Sequence, residues 1–391
     1  MAVVFNLGTN GNWAYEDASL LPYYVDANNK YNGVRMSAFR AGIATRTTRE
    51  GLLESMTVDI PRIDFAENAN GQLFVEDESE NLVVNSNSGD YGSAPASEIS
   101  ESSPAGDDTA VRPVVSGVAN RYEQIISGGT YPTGQKLVYS WYRKRISTPI
   151  NDNEIGDLRV ANSINLIEVS QTQIESERNG YDRFQSVVEI VDGSLESKWR
   201  GYFGDLIGIG NSSVAYWGHQ FEEGENATSL IPTNGSAEPR AADTGITTGD
   251  ISHLINSEEG VIEISMRALV NGGKDRRFSL NDGTTSNRIE FGYSNAENKV
   301  EIIFRYGGNS TSLNVTVTIG DQTEKGIFKL KWKSGDSVFS FNNTILASSS
   351  DVFTFTPNVL KYANLTTWNQ TSSPLFAKVE YIKIYDSADD Y

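Results

Sequence analysis

The sequence of 391 residues contains no cysteine. Disulfides, thiolate zinc sites, iron–sulfur clusters and cysteine nucleophiles are thereby excluded. Histidine occurs only as His219 and His253, too widely spaced to suggest a multi-histidine metal centre. No run of about 18 apolar residues is present, so no segment reads as a membrane-spanning helix. Met1–Trp13 lacks a basic stretch followed by an apolar core, so no secretory signal is visible and synthesis in a cytoplasm is expected. Cations are also scarce: 32 Lys plus Arg stand against 51 Asp plus Glu, a formal charge of -19. That balance repels phosphate backbones and anionic lipid, which argues against nucleic acid and membrane surfaces as partners. Amphipathic helical patterns are nearly missing; Arg49–Met56 is the best candidate and allows one or two turns.

What is present points to β structure. Gly (35), Tyr (18) and Phe (16) are frequent, and residues that favour strands alternate with turn formers. In Leu313–Ile319, Leu313, Val315, Val317 and Ile319 share one face while Asn314, Thr316 and Thr318 share the other. In Ile327–Lys333, Phe328, Leu330 and Trp332 oppose Lys329, Lys331 and Lys333. Successive side chains leave opposite faces of a pleated ribbon, so this is the pattern of half-buried strands. Val261–Val270, Arg288–Tyr293, Lys299–Tyr306, Ser337–Phe341 and Lys378–Tyr385 read likewise. Turns are expected at Asn281-Asp282-Gly283, Gly307-Gly308-Asn309, Gly320-Asp321 and Ser334-Gly335-Asp336. Further strands are expected at Lys136–Arg145, Ser163–Val169, Phe184–Val191, Ser197–Phe203 and Ser213–Phe221. Many short strands without intervening helices argue for antiparallel sandwiches.

Two polar stretches, Asn85–Asp108 and Ile231–Gly249, read as a linker or long loop and a domain boundary. They divide the chain into an N-terminal piece (1–84), a middle domain (85–240) and a last domain (241–391). The first piece is small enough to need support from another subunit or protein.

Ala44–Ser86 resembles a module of bacteriophage virion proteins, often tail or fibre proteins. The matching residues are Ala44-Thr45-Arg46, Gly51-Leu52-Leu53-Glu54, Pro61-Arg62-Ile63-Asp64-Phe65 and Glu80-Asn81-Leu82. Val75-Glu76-Asp77 departs from the pattern, because no Pro follows the Glu. Trp217–Gly224, Ala227-Thr228-Ser229, Ile231-Pro232-Thr233 and Arg240-Ala241-Ala242-Asp243 resemble the end of the carbohydrate-binding-module-like sandwich found in that family. The last 140 or so residues are similar to a concanavalin-A-like, laminin-G-type jelly roll, on the strands within Lys329–Ser348 and Lys378–Tyr385. The resemblance implies an all-β chain with an N-terminal attachment and oligomerisation module followed by two antiparallel β-sandwich (jelly-roll) domains. It also implies a homo-oligomer, a trimer by family expectation, located in the virion and contacting other virion proteins through residues 1–84. Trp217 itself reads as packing beside a strand exit and Pro61-Arg62 as a rigid extended entry; a pair of Arg62 with Asp64 or Glu54 is open, and would be worth little if exposed.

Glycoside cleavage needs two carboxylates flanking the bond. Glu263, Glu290, Glu301 and Glu380 each stand alone between apolar neighbours, the pattern of a strand's solvent face, and no serine elbow or HExxH motif occurs. No catalytic residue is assigned. Sugar rings stack on exposed aromatics and take hydrogen bonds from amides. Tyr362, Asn364, Trp368 and Asn369 combine both in one polar stretch and form the candidate glycan loop; the alternative is a loop that packs Trp368 as a lid. Asp282 is a calcium candidate or an ordinary turn residue; no other cofactor is expected. The reading is a phage fibre or appendage that binds host-surface glycans without cleaving them. A purely architectural capsid or tail decoration and a polysaccharide depolymerase are the alternatives.

Overall fold

The computed structural model describes residues 3–16, 19–25, 33–87, 97–115, 122–146, 159–160, 166–178, 180–191, 194–195, 198–202, 210–211, 214–308, 310–370 and 372–391. The chain is all-β, and every strand pair described is antiparallel. No helix among the described residues is long and apolar enough to cross a membrane.

Two compact units form. Unit 1 comprises Met1–Ala41, Thr57–Asp77 and Ala242–Tyr391; unit 2 comprises Gly42–Met56 and Glu78–Ala241. The expected three consecutive pieces do not coincide with them, because residues 1–84 are shared between both. Strand pairing explains the difference. Val3–Leu7 adds to Ala377–Tyr385, and Met36–Phe39 adds to Thr244–Thr248. Their backbone groups find partners near the far end of the chain.

Unit 1 is a sandwich of two nine-stranded sheets. Sheet I runs in the order Thr344–Ser349, Ser337–Phe341, Gly326–Lys333, Glu259–Ala268, Ala377–Tyr385, Val3–Leu7, Tyr23–Val25; Gln72–Val75 also pairs with Ala377–Tyr385 and carries Ile63–Asp64. Sheet II runs Tyr15–Glu16, Ser19–Leu20, Met36–Phe39, Thr244–Thr248, Tyr362–Asn364, Arg276–Asn281, Arg288–Tyr293, Lys299–Tyr306, Ser310–Thr318. The inner faces share one core, where Phe291 stacks on Phe328 at 5.9 Å and Tyr293 meets it edge-on at 5.1 Å. Alternation is as expected: in Gly326–Lys333 the residues Phe328, Leu330 and Trp332 are buried and the three lysines only partly so. Gly260 leaves room for Trp332, whose ring would lie 2.4 Å from any Cβ placed there. On the outer face of sheet I, Glu259 and Glu263 stand directly opposite Lys333 and Lys329. Opposite charges in register favour that pairing.

Among the buried charges of unit 1, four form one cluster. Arg62 pairs with Glu76 at 2.6 Å and with Asp243, and Arg40 pairs with Asp243 at 3.0 Å. Arg40 further donates to the carbonyls of Thr57 and Ile60. Burial works against the Arg62 charge, but Asp243 and Glu76 outweigh it and hold the guanidinium above its ordinary pKa. The pair left open between Arg62 and Asp64 or Glu54 is thus replaced by buried pairs with Glu76 and Asp243, and Glu54 pairs instead with Arg46 at 2.6 Å. Nor is Ile231–Gly249 a free boundary, since Asp243 is buried and Glu238–Arg240 and Thr244–Thr248 are paired strands.

Unit 2 is built on a seven-stranded sheet: Ser97–Glu101, Ala110–Val115, Val214–Glu223, Lys136–Arg145, Tyr181–Ile190, Leu166–Arg178, with Gly210–Asn211 added to Ala110–Val115. Ser97–Glu101 falls in the expected linker, of which residues 88–96 lie outside the described set; so do Asn309 of one expected turn and residues 163–165, 197, 203 and 213 of expected strands. Leu137, Tyr139, Trp141, Val188 and Tyr216 form one core, and Tyr142, Tyr181, Ala215, Trp217 and Leu230 a second. The helical turn expected in Arg49–Met56 is instead a β-hairpin, Ala44–Thr47 with Leu53–Met56. Leu53 joins the second core, so tertiary packing overrides the local pattern.

Candidate functional site

The site in unit 2 is assembled by the Trp217–Gly224 segment. Between the pairs Ser140↔Gln220 and Tyr142↔Trp217 the register shifts by one residue, a β-bulge. Gly218 lies in this bulge at φ 63°, where a Cβ would stand 2.9 Å from the Tyr142 ring. Trp217 is buried, meets Tyr142 edge-on at 5.7 Å and donates its indole N–H to Thr109 Oγ1 at 2.8 Å. This is the packing role expected of it.

Beyond the bulge, buried polar side chains clamp the return segment. Gln220 Oε1 accepts the Ile231 N–H at 2.6 Å, while its amide donates to the carbonyls of Thr228 and Ser229. Glu222 accepts from Ser79, Gln220 and the Thr228 N–H. Asn81 donates to the carbonyls of His219 and Ile231 and accepts the N–H groups of Phe221 and Val83. Thr45 donates to the Leu230 carbonyl at 2.7 Å. His219 is buried and shares a 2.5 Å hydrogen bond with the Tyr139 hydroxyl; burial pushes its pKa from 6.5 down to about 3, so the ring is neutral. His253 is exposed.

The clamped segment lines a cleft of about 750 Å³ with Ile43, Ser55, Asn85, Asn87, Thr109, Ile231, Pro232, Thr233, Asn234, Glu238 and Pro239. Asn85 and Asn234 face each other as a β-bridge. The amide N–H₂ groups of Asn85, Asn87 and Asn234 donate to no group among the described residues. The Thr233 hydroxyl is buried without a partner. Ile43 is 60% exposed, and Pro232 and Pro239 are exposed as well. The cleft therefore combines free amide donors with aliphatic C–H surface and a single carboxylate, Glu238. Sequence reasoning missed it, since Asn85, Asn87 and Asn234 lie in stretches that read as linkers. The one signal was that motif residues Thr45, Asn81 and Ile231–Thr233 flank those asparagines.

In unit 1 the expected glycan loop is not one surface. Asn364 is wholly buried in sheet II, its Nδ2 without a partner. Tyr362 is half-buried beside Gly283. Asn369 is exposed but committed to its own turn, accepting from Thr367 and the Ser372 N–H and donating to Ser372 Oγ. Trp368 is half-buried, and its backbone N–H donates to Glu290 Oε1 at 2.9 Å. Glu290, expected on a solvent face, is buried: the Trp368 turn covers the outward side of its strand. Burial raises its carboxyl pKa against the pull of the Trp368 N–H and Arg288. Each of the four strand acids has a cation beside it: Glu263 with Lys383, Glu290 with Arg288, Glu301 with Arg277 and Glu380 with Lys325. Both oxygens of Asp282 are engaged, Oδ1 by the N–H and hydroxyl of Thr284 and Oδ2 by Asn287. Among the described residues no cluster of three or more His, Asp or Glu is placed to hold a metal, so these residues do not fit a calcium cage.

No protein-family model matches the chain, and no curated protein matches it. Solved structures with a distant likeness to it include the CBM40 module of the Ruminococcus gnavus IT-sialidase. That match has 16% identity and a TM-score of 0.29, and it covers 36% of this chain and 88% of that one. A second is the same module bound to alpha2,6 sialyllactose, again at 16% identity and TM-score 0.29, over 36% of this chain and 85% of that one.

Proposed function

We propose that this protein is a bacteriophage virion component that binds a saccharide of the host surface without cleaving it, at the unit 2 cleft. The observation that carries the reading is the cleft's lining: three amide groups with free donors beside exposed Ile43, Pro232 and Pro239. Amides supply planar hydrogen-bond partners to sugar hydroxyls, and aliphatic surface covers the C–H faces of a ring. One carboxylate does not make the acid pair that glycosidases use. The virion assignment is supported by the resemblance in Ala44–Ser86 and Trp217–Asp243, whose residues build the clamp behind the cleft. Attachment to the particle through residues 1–84 and a homotrimer belong to the same proposal; copies of a weak site then gain avidity.

A glycan array probed with the purified protein tests the reading. Binding is expected, and Asn234→Ala or Ile43→Asp is expected to weaken it about tenfold. Absence of binding to every host-envelope glycan points to the architectural alternative, and release of new reducing ends from host capsule points to a depolymerase. Light-scattering mass in solution checks the trimer.

A further inference from the structure

On the outer face of sheet I the opposed residues are Glu–Lys pairs. On the outer face of sheet II, Arg288 stands directly opposite Arg305 on the neighbouring strand. Like charges in this position destabilise a sheet. In a chain of charge -19, two of its few cations are thus opposed at one point, with the buried Glu290 carboxylate attracting both.

The Nε of each guanidinium is buried without a hydrogen-bond partner. Arg288 is buried, and Glu290 Oε2 lies 3.2 Å from its Nε without forming an aligned hydrogen bond. Arg305 is half-buried and has no ion-pair partner among the described residues; its Nε is closed to solvent and unpartnered. Two further unpartnered polar atoms lie on the same face, Ser312 Oγ and Asn364 Nδ2. The register places Tyr362, Asn281, Arg288 and Arg305 in one row across four adjacent strands, with Asn281 and Arg288 buried in its middle and Tyr362 and Arg305 half-buried at its ends. At the usual strand spacing the row spans roughly 14 Å, the length of a short oligosaccharide. The Arg288 pKa is lowered by burial, and Arg305 adds to that against the pull of Glu290.

We infer that the Arg288–Arg305 row is a second binding site, and that it takes the carboxylate of an acidic saccharide. A carboxylate accepts two parallel N–H bonds from a guanidinium fork and neutralises the repulsion between the two arginines. Tyr362, at the end of the row, offers ring surface to the adjoining sugar. The inference relies on saccharide binding for the body of the ligand; recognition of its anionic group stands on the arginines alone.

Calorimetric titration of the full chain with oligogalacturonate, hyaluronan hexasaccharide and oligosialate, each beside its carboxyl-reduced neutral form, tests it. At least one acidic form is expected to bind, with its reduced form at least tenfold weaker. Arg305→Gln is expected to weaken acidic binding about tenfold and Arg305→Lys less. The melting temperature of Arg305→Gln is expected to hold or rise, because the like-charge contact is gone. Equal binding of reduced forms, or unchanged binding by Arg305→Gln, overturns the inference. So does a lowered melting temperature in Arg305→Gln, which assigns Arg305 to the fold, and so does inorganic sulfate binding as tightly as the saccharide. If only neutral saccharides bind, this inference fails and the proposed function stands; if none of these binds, this inference fails and the glycan array decides the proposed function.

Discussion

In unit 1 the groups withdrawn from water include two guanidiniums and two carboxylates, Arg40, Arg62, Glu76 and Asp243. In unit 2 a neutral network, Asn81, Gln220, His219 and Tyr139, surrounds one carboxylate, Glu222, while Arg183 and Arg240 are buried elsewhere in the unit. The two arrangements respond to different insults. A buried ion cluster is self-consistent until one partner is removed, and then the remaining charge is stranded in a poorly polarisable interior. A neutral amide and imidazole network keeps its geometry until a proton is forced onto it. The contrast predicts that unit 1 is the more sensitive to charge deletion and unit 2 the more sensitive to mild acid.

The largest expected effect is Arg62→Ala, which removes the guanidinium that pairs with both Glu76 and Asp243. Loss of about 3–5 kcal/mol is expected, read as a lowered calorimetric transition. A loss below about 1 kcal/mol would show that the cluster is hydrated and would erase the contrast.

Next is acid. The native His219 pKa of about 3 lies below its ordinary 6.5, so between these values the unfolded chain binds the extra proton. Stability is then full above pH 6.5 and falls by about 1.4 kcal/mol per pH unit below it. Denaturant titrations at pH 7 and pH 5 are expected to differ by about 2 kcal/mol, and His219→Gln to remove most of the difference.

Gly218→Ala sharpens the comparison within unit 2, since it forces a Cβ into a left-handed backbone against Tyr142. A cost of about 1–2 kcal/mol is expected from chemical denaturation. The smallest effect is expected from Trp368→Ala, whose turn is held by the Trp368 backbone N–H and the Asn369 side chain rather than by the indole. Saccharide affinity is expected to change by less than about twofold. A large loss would restore the Trp368 loop as a contact surface and move the site from unit 2 to unit 1.

Much of the fold was legible because the signal was local. The lysine–apolar alternation of Ile327–Lys333 fixes which side faces the core, whatever the partner strand is. The division into units was not legible, because Val3–Leu7 carries no mark that its partner is Ala377–Tyr385. Glu290 was misread for a related reason. Flanking apolar residues identify an outward face, but only tertiary structure shows that the Trp368 turn covers it. The same limit hid the partners of Arg62, since Glu76 and Asp243 come from separate segments. In the candidate site, the motif residues that clamp the cleft were visible as a pattern. The asparagines that line it were indistinguishable from turn formers, since both uses draw on the same short amide side chain.

The seam between Val3–Leu7 and Ala377–Tyr385 has a consequence for synthesis. During translation the opening strand must wait, exposed, until the closing strand leaves the ribosome, whereas residues 42–56 and 78–241 are complete well before. Unit 2 is therefore free to fold first, and the lone early strand is a place where a chaperone or a second nascent chain can bind before its own partner arrives.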